Sequence, residues 1–393
     1  MTTTAEQIRA YTGPAILSYG FRPFFLAAGI WAALAIALWL PMLSGHLVLP
    51  TAFAPIEWHA HELLFGFVPA AVAGFLLTAV PNWTGRLPVV GTPLLWLFLL
   101  WLSGRVAVLI SGWISAPLAA IIDLSFLACL IALVAREIVA AQNKRNLKVP
   151  VIVGILLLGN AAFHAEVIFG TAQGFGIRMG IAAIVMLIML IGGRIVPSFT
   201  RNWLVRRRPG RLPVPFGRLD AAIMAASGVA LVSWIAMPDH TATALLMLVA
   251  GLLNVIRLAR WAGERTVAEP LVLVLHVAYA FVPLGFLLLA LSIYAPDILL
   301  PSGALHSWTT GAIGLMILAV MTRASLGHTG QPLTATRGIT AIYVATFIAA
   351  LARIAAAFDL APEPMLHISA AAWVLGFAGF AAIYAPLLTR PRQ

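Results

Sequence analysis

Long apolar runs separated by short polar segments fill almost the whole chain. Each run is close to the roughly 20 residues that an α-helix needs to cross the hydrocarbon core of a bilayer. Twelve runs are present, at residues 24–43, 58–80, 92–112, 117–135, 149–169, 177–196, 219–237, 241–260, 269–293, 303–323, 338–357 and 366–388. The pattern predicts an all-α fold, a polytopic integral membrane protein of about twelve transmembrane helices in a single domain that covers residues 1–393.

Composition agrees with a membrane protein and excludes two kinds of site. The chain is 62% hydrophobic and 9% charged, with a mean hydropathy of +1.00. No polar segment is long enough to form a sizeable soluble domain. Cys129 is the single cysteine, so the chain can form neither an internal disulfide nor a thiolate metal cluster.

Positive charge is distributed unevenly between the two ends of the predicted spans. The formal net charge is +11, and of the 24 Lys and Arg residues 21 lie on the side of the N-terminus and 3 on the other. By the positive-inside rule the first side is cytoplasmic and holds both termini, the tail 1–23 and a basic loop at 197–218. This distribution indicates contact with anionic lipid of the bilayer and argues against binding of nucleic acid.

Residues 57–62 place two histidines and two carboxylates at the start of span two. Ionisable groups at the edge of a membrane span are costly and commonly mark function. His59 and His61 lie about 200° apart on a helix of about 3.6 residues per turn, so they share one metal only if the helix begins between them. Otherwise they serve two partners. The alternative is an interfacial pair that caps the helix.

Other histidines lie at span ends as well. Imidazole is a common ligand of copper, iron and zinc and the usual axial ligand of b-type haem. A lone histidine is more often a helix contact, but four at the outer ends of spans two, five and ten favour a metal or haem site. Two further histidines are candidates, His276 inside span nine and His328 just past the inner end of span ten. The full set of candidate ligands is His59, His61, His164, His276, His306 and His328.

Carboxylates and a tyrosine accompany these histidines. Glu62 and Glu166 stand beside them in the sequence and are candidates for orienting the imidazole rings and passing protons. Tyr279 shares a helix face with His276 and completes the predicted catalytic set. Asp123 is the one acid deep inside a span, and the sequence gives it no evident partner.

Three arginines, Arg105, Arg178 and Arg353, lie on the outer side against the positive-inside rule. Haem propionates would stabilise them there, because guanidinium groups pair with carboxylates in bidentate fashion. The alternative is that they pair with Glu57, Glu166 or Asp359, or extend to lipid headgroups.

A faint internal repeat relates spans two, six and ten. His61, Gly66, Thr84 and Gly85 recur 245 residues later as His306, Gly311, Thr329 and Gly330, and Arg105 recurs 248 residues later as Arg353. Residues 82–83 recur as residues 202–203. The repeat suggests three units of four helices with His61 and His306 at equivalent outer ends, although matches in a chain rich in Gly and Ala also arise by chance.

Several specific motifs resemble the NnrS family of bacterial membrane proteins over nearly the whole chain. The motifs are SYGFRPFF (18–25), EWHAHELLFGF (57–67), AGFLLTAVPNWTGR (73–86), GGRIVPSFTRNWL (192–204), HVAYAFVPLG (276–285) and AVMTRASLGHTGQPL (319–333). The resemblance implies an inner-membrane protein of about twelve helices that contains haem and copper and acts in nitric oxide metabolism, denitrification or resistance to nitrosative stress. The layout is also similar to that of haem–copper oxidases, by architecture alone.

The histidines and the outward arginines favour haem b, alone or with copper, and the resemblance implies nitric oxide as the substrate. The most concrete prediction is an oxidoreductase that reduces nitric oxide with electrons from membrane quinol. One alternative is a non-catalytic protein that senses nitric oxide or protects against nitrosative stress. Another is a twelve-helix secondary transporter. Transporters hold substrate near the bilayer midplane, whereas the ionisable residues here are concentrated at span ends.

The charge distribution generates a topology prediction. Reporter fusions after Arg145 and Arg208 should read as cytoplasmic, and fusions near Asp239 and Asp297 as periplasmic, because 21 basic residues lie on one side and 3 on the other. A fusion that reproducibly reads on the wrong side in the full-length protein would break the count of twelve spans.

Overall fold

The structure is a computed structural model that describes residues 11–171, 173–207 and 209–391. Within these ranges the chain forms helices and no strand, and twelve helices are long and apolar enough to cross a membrane. The predicted all-α, twelve-span fold is confirmed. The spans are α1 Phe21–Leu43, α2 Pro55–Thr84, α3 Thr92–Leu109, α4 Ala116–Ala140, α5 Lys148–Phe169, α6 Phe175–Leu204, α7 Arg218–Ala236, α8 Thr241–Ala259, α9 Pro270–Tyr294, α10 Pro301–Thr329, α11 Arg337–Ala357 and α12 Pro362–Thr389.

The largest differences from the predicted boundaries occur at the ends of α6 and α10. Both helices continue past their apolar runs, to Leu204 and Thr329. A helix satisfies its own backbone hydrogen bonds, so it need not end where the sequence becomes polar. The segment predicted as a basic loop at 197–218 therefore begins with helix. Of the residues used for the charge count, Arg9, Arg208 and Arg392 lie outside the described residues, as do residues 1–10 of the tail.

The chain separates into two compact units. Unit 1 contains Met1–Gly180, Ala324–Gln331 and Phe377–Gln393, and unit 2 contains Ile181–Arg323 and Pro332–Gly376. In unit 1, α2 packs against α1 and α4, while α4 also packs against α3 and α5. In unit 2, α8 packs between α7 and α9, and α10 packs against α9 and α11.

Spans two, six and ten share two structural features. They are the longest spans, at 30, 30 and 29 residues, and their most apolar windows are 83%, 72% and 72% buried. Apart from α9, the remaining spans are 33–44% buried. Every fourth helix thus has little contact with lipid, which agrees with the period of four helices in the sequence repeat.

Spans two and ten also depart from α-helical geometry at matching positions. A π-helical segment covers Glu62–Phe67 in α2, and another covers Ser307–Gly314 in α10, so the two begin 245 residues apart. This is the offset of the sequence repeat. π-Helical turns are rare and are found frequently at functional sites, and the turn in α2 begins beside His61.

Small residues allow α5 and α6 to approach closely within unit 1. A Cβ atom on Gly176 would lie 2.4 Å from the Phe163 backbone nitrogen and 2.7 Å from the Gly159 carbonyl oxygen. A Cβ atom on Gly159 would lie 2.9 Å from the backbone nitrogen of Gly180. Close approach of backbones at glycine is a common means of helix association in membranes. Because α5 carries His164, this contact positions a candidate ligand.

Substitution of Gly176 by alanine should therefore lower stability. Overpacking against a backbone typically costs about 1–3 kcal/mol, so we expect a lower midpoint of thermal unfolding for Gly176→Ala in detergent. Gly154→Ala, also on α5, is the matched control because its Cβ meets nothing within 4 Å. Equal midpoints for the two variants would show that the α5–α6 contact is looser than the structure indicates.

Candidate metal centre

His59 and His61 serve different partners because α2 begins before both of them. The helix begins at Pro55, and the Glu57 carboxylate accepts a hydrogen bond from the Ala54 backbone nitrogen at 2.8 Å. The ring of His59 stacks on Trp39, with centroids 4.0 Å apart. His61 is fully buried in unit 1 and faces α4 and α5. The two histidines therefore do not share one metal through a helix start between them.

Three potential ligand atoms converge at His61. His61 Nε2 lies 3.2 Å from His164 Nε2 and 3.3 Å from Asp123 Oδ2, and the latter two atoms are 3.1 Å apart. All three side chains are buried. Among the described residues, these three side chains form a group that could hold one metal ion, because their ligand atoms all lie within 4.8 Å of one another.

Glu62 fixes the tautomer of His61. Its carboxylate accepts hydrogen bonds from Trp31 Nε1 and Arg105 Nη1, each at 2.8 Å, and lies 3.0 Å from His61 Nδ1. A carboxylate paired with an arginine is an acceptor, so His61 Nδ1 carries the proton and donates it. The lone pair of His61 is consequently on Nε2 and points toward the other two ligand atoms. Carboxylates orient metal-ligating histidines in this way.

Asn160 adds a fourth oxygen to the cluster. Its Nδ2 donates to Asp123 Oδ2 at 2.7 Å, which turns its Oδ1 toward His61 Nε2 at 3.1 Å. The lone pairs of His61 Nε2 and Asn160 Oδ1 thus face one another in a buried site. A cation between them would stabilise this arrangement.

The geometry fits a single metal ion. Nitrogen and oxygen ligands about 2.0–2.2 Å from a metal in tetrahedral or octahedral geometry stand roughly 3.0–3.5 Å apart. The three separations of 3.1–3.3 Å lie in that range. A haem does not fit at His61, because its ring would need the space next to Nε2 that His164 and Asp123 occupy.

Arg105 joins the two carboxylates of the site. Its Nη1 donates to both oxygens of Glu62 at 2.8 Å, and its Nη2 donates to Asp123 Oδ1. Glycines make room for the pairs, since a Cβ on Gly66 would lie 2.3 Å from Arg105 Nη1 and one on Gly104 would lie 2.9 Å from Asp123 Oδ1. These ion pairs account for an arginine on the outer side without a propionate partner.

The other two outward arginines lie elsewhere. Arg178 donates to the Gln173 carbonyl oxygen at 2.9 Å, and Arg353 lies in α11 of unit 2. A role for either at a haem stays a prediction. Glu166, predicted as catalytic, accepts hydrogen bonds from the backbone nitrogens of Phe175 and Gly176 at 2.7 and 3.3 Å, and so caps the start of α6.

His276 and Tyr279, two of the predicted site residues, form hydrogen bonds within unit 2. His276 Nε2 donates to Thr200 Oγ1 at 2.7 Å, because that hydroxyl already donates to the Val196 carbonyl oxygen. Tyr279 accepts from Arg257 Nη1 at 2.9 Å and donates to Asn254 Oδ1 at 3.1 Å.

The last two candidate ligands also have local partners. His306 Nδ1 donates to the Ser302 carbonyl oxygen at 2.6 Å. His328 packs against the rings of Tyr19 and Phe21, with centroids 5.6 and 5.5 Å apart. Of the predicted site residues, the structure therefore brings together His61, His164, Glu62 and Arg105.

Sequence reasoning missed Asp123 as a ligand candidate and Asn160 as its neighbour. Asn160 and His164 are four residues apart and share one face of α5, and that spacing was a usable signal. Asp123 was the one deep acid in the sequence. A buried acid and an outward arginine on consecutive spans are natural partners, and α3 and α4 do bring Arg105 and Asp123 together.

Comparison with known proteins identifies the family. The NnrS protein family matches residues 15–392, nearly the whole chain. No curated protein matches the chain significantly. With the twelve helices and the buried cluster of His61, Asp123 and His164, the match shows that the chain belongs to the NnrS family and is a multi-pass membrane protein related to nitric oxide metabolism.

Proposed function

We propose that the protein binds nitric oxide at a single metal ion held by His61, His164 and Asp123, and reduces it with electrons from membrane quinol. The observation that supports this most is the convergence of three ligand atoms within 3.1–3.3 Å of one another in a buried site. Copper suits the donor set, since imidazole nitrogens are ordinary copper ligands. Nitric oxide is small and weakly polar, so it reaches a buried site that excludes larger substrates.

The chain's own residues would prepare the site for this chemistry. Glu62 holds the His61 proton on Nδ1 and keeps the Nε2 lone pair available. Arg105 offsets one of the two carboxylate charges. A bound metal would supply an open coordination position and an exchangeable electron. Reduction of two nitric oxide molecules to nitrous oxide and water consumes two electrons and two protons, which one quinol supplies.

Haem b belongs to a different histidine in this proposal. His306 Nδ1 donates to the Ser302 carbonyl oxygen, a bond of the kind that orients histidines which serve as axial ligands. We further propose the bacterial inner membrane as the location, with both termini cytoplasmic, on the strength of the 21-to-3 distribution of basic residues.

Metal analysis of purified variants tests the centre. His61→Ala and His164→Ala should each remove most of the copper, because each deletes one of three ligands. Glu62→Gln should weaken metal affinity by about 10–100-fold, the usual effect of losing an orienting carboxylate. His240→Ala is the control, since His240 is an exposed residue that caps α8.

Absorption spectra of the same preparations separate the two cofactors. His306→Ala should lose b-type haem absorbance and keep its copper, whereas His61→Ala should show the reverse. Full copper in both His61→Ala and His164→Ala would refute the metal centre, and a colourless wild-type protein from haem-replete cells would refute the haem.

Nitric oxide consumption distinguishes an enzyme from a sensor. Membranes that contain the protein should consume nitric oxide over many turnovers when given a quinol. The activity should disappear in His61→Ala while the protein stays in the membrane, because the metal would be absent. Tight binding of one equivalent without turnover, in protein with full metal content, would favour the sensing or protective role instead.

A further inference from the structure

An open groove lies in unit 1 where α2 and α4 end and α3 begins. Its volume is about 790 Å³, within the range of about 300–1,000 Å³ that ligand sites occupy. Apolar side chains, among them Leu87, Val89 and Leu133, form its walls. A narrow apolar crevice that shares these residues continues between α2 and α4 past Leu76 and Val134. The groove and the crevice are therefore lined mainly by apolar side chains.

Three charged residues that line the groove are paired with one another. Arg86 and Arg136 both pair with Glu137, through Arg86 Nε to Oε2 and through Arg136 Nη2 to Oε1 at 2.8 Å. The arginine side chains are 47% and 69% exposed, whereas that of Glu137 is 10% exposed. Two guanidinium groups thus share one carboxylate, which leaves an excess of one positive charge.

Both arginines retain unused hydrogen-bond donors. Neither Nη group of Arg86 donates to a protein atom within the described ranges, and the Nη1 group of Arg136 likewise has no bond there. The N-terminus of α3, which begins at Thr92, places the positive end of its helix dipole beside Pro93 in the groove wall. These groups together would recognise an anion.

We propose that this groove binds the headgroup of an anionic phospholipid. The phosphate would lie between Arg86 and Arg136, and the start of the acyl chains would lie along the apolar wall. The groove is at the ends of three spans, which is the level of lipid headgroups. It also lies on the side that carries 21 of the 24 basic residues, where anionic lipid is enriched.

Membrane quinol is a poorer occupant on grounds of distance. His61 and Gly85 are 24 residues apart along α2, which is on the order of 35 Å at about 1.5 Å per helical residue. Electrons do not cross such a distance in one step between protein-bound centres. A quinol in the groove would therefore not deliver electrons directly to the centre at His61, whereas a lipid needs no such connection.

Native mass spectrometry of the full-length protein tests the assignment. The probes are dioleoyl phosphatidylglycerol and dioleoyl phosphatidylcholine, added in equal amounts to detergent-purified protein. The wild-type chain should retain phosphatidylglycerol with up to about 30-fold preference, because two basic groups near a membrane surface contribute about 1 kcal/mol each. Arg86→Gln/Arg136→Gln should abolish that preference. Leu133→Trp, which fills the groove and changes no charge, should also lower retention.

Arg206→Gln/Arg207→Gln is the matched control, since it removes the same charge from exposed residues after α6 and should keep the preference. Equal loss in the control and groove variants would overturn the proposal. So would displacement of the lipid by millimolar inorganic phosphate or by a short-chain quinone. Copper content and nitric oxide consumption should stay at wild-type levels in the groove variants, so this result is independent of the proposed function.

Discussion

The arrangement of unit 1 depends on the cost of carboxylates buried among transmembrane helices. Glu62 and Asp123 are both buried, and an uncompensated charge there would cost several kcal/mol. Arg105 reaches both of them from α3, which requires glycine at position 66 and close packing at Gly104. Once the arginine bonds Oδ1 of Asp123, His61 and His164 lie against the other oxygen of that carboxylate, Oδ2.

The number of spans could be predicted from the sequence because length and hydropathy alone determine it. Depth within the spans also selected His61, His164, Glu62 and Arg105, which the structure brings together. Their pairing could not be predicted in the same way, since it depends on which faces of α2, α3, α4 and α5 meet. Glu166 and Tyr279 were also predicted as catalytic, and their roles stay predictions. Both are ionisable residues near histidines in the sequence, but one caps a helix and the other belongs to a polar contact of unit 2.

The repeated spans α2 and α10 share a backbone geometry but differ in the side chains that use it. Both α2 and α10 contain a π-helical segment at equivalent positions, with a glycine inside it. In α2 the space above Gly66 holds the guanidinium of Arg105, whereas in α10 the space above Gly311 holds the ring of Phe281. The position of Glu62 corresponds to Ser307, which carries no charge. The widened turn therefore provides room in both spans, and the acid at its first position decides whether that room is used for an ion pair or for packing.

Charge balance explains why the cluster suits a metal better than an ordinary buried network. With neutral histidines, Glu62, Asp123 and Arg105 leave one excess negative charge in a site closed to water. Without metal, a proton on His164 Nε2 would donate to Asp123 Oδ2 and leave the His61 lone pair facing Asn160 Oδ1, which is also an acceptor. A cation would satisfy the His61, His164 and Asp123 atoms at once, and a monovalent ion such as Cu⁺ would cancel the excess charge, whereas a divalent ion would leave one positive charge. Because Arg105 bonds the far oxygen of Asp123 and both oxygens of Glu62, the ligand positions are set before the cation arrives. The ion pairs of Arg105 therefore hold the candidate ligand atoms in the arrangement that a metal ion would need.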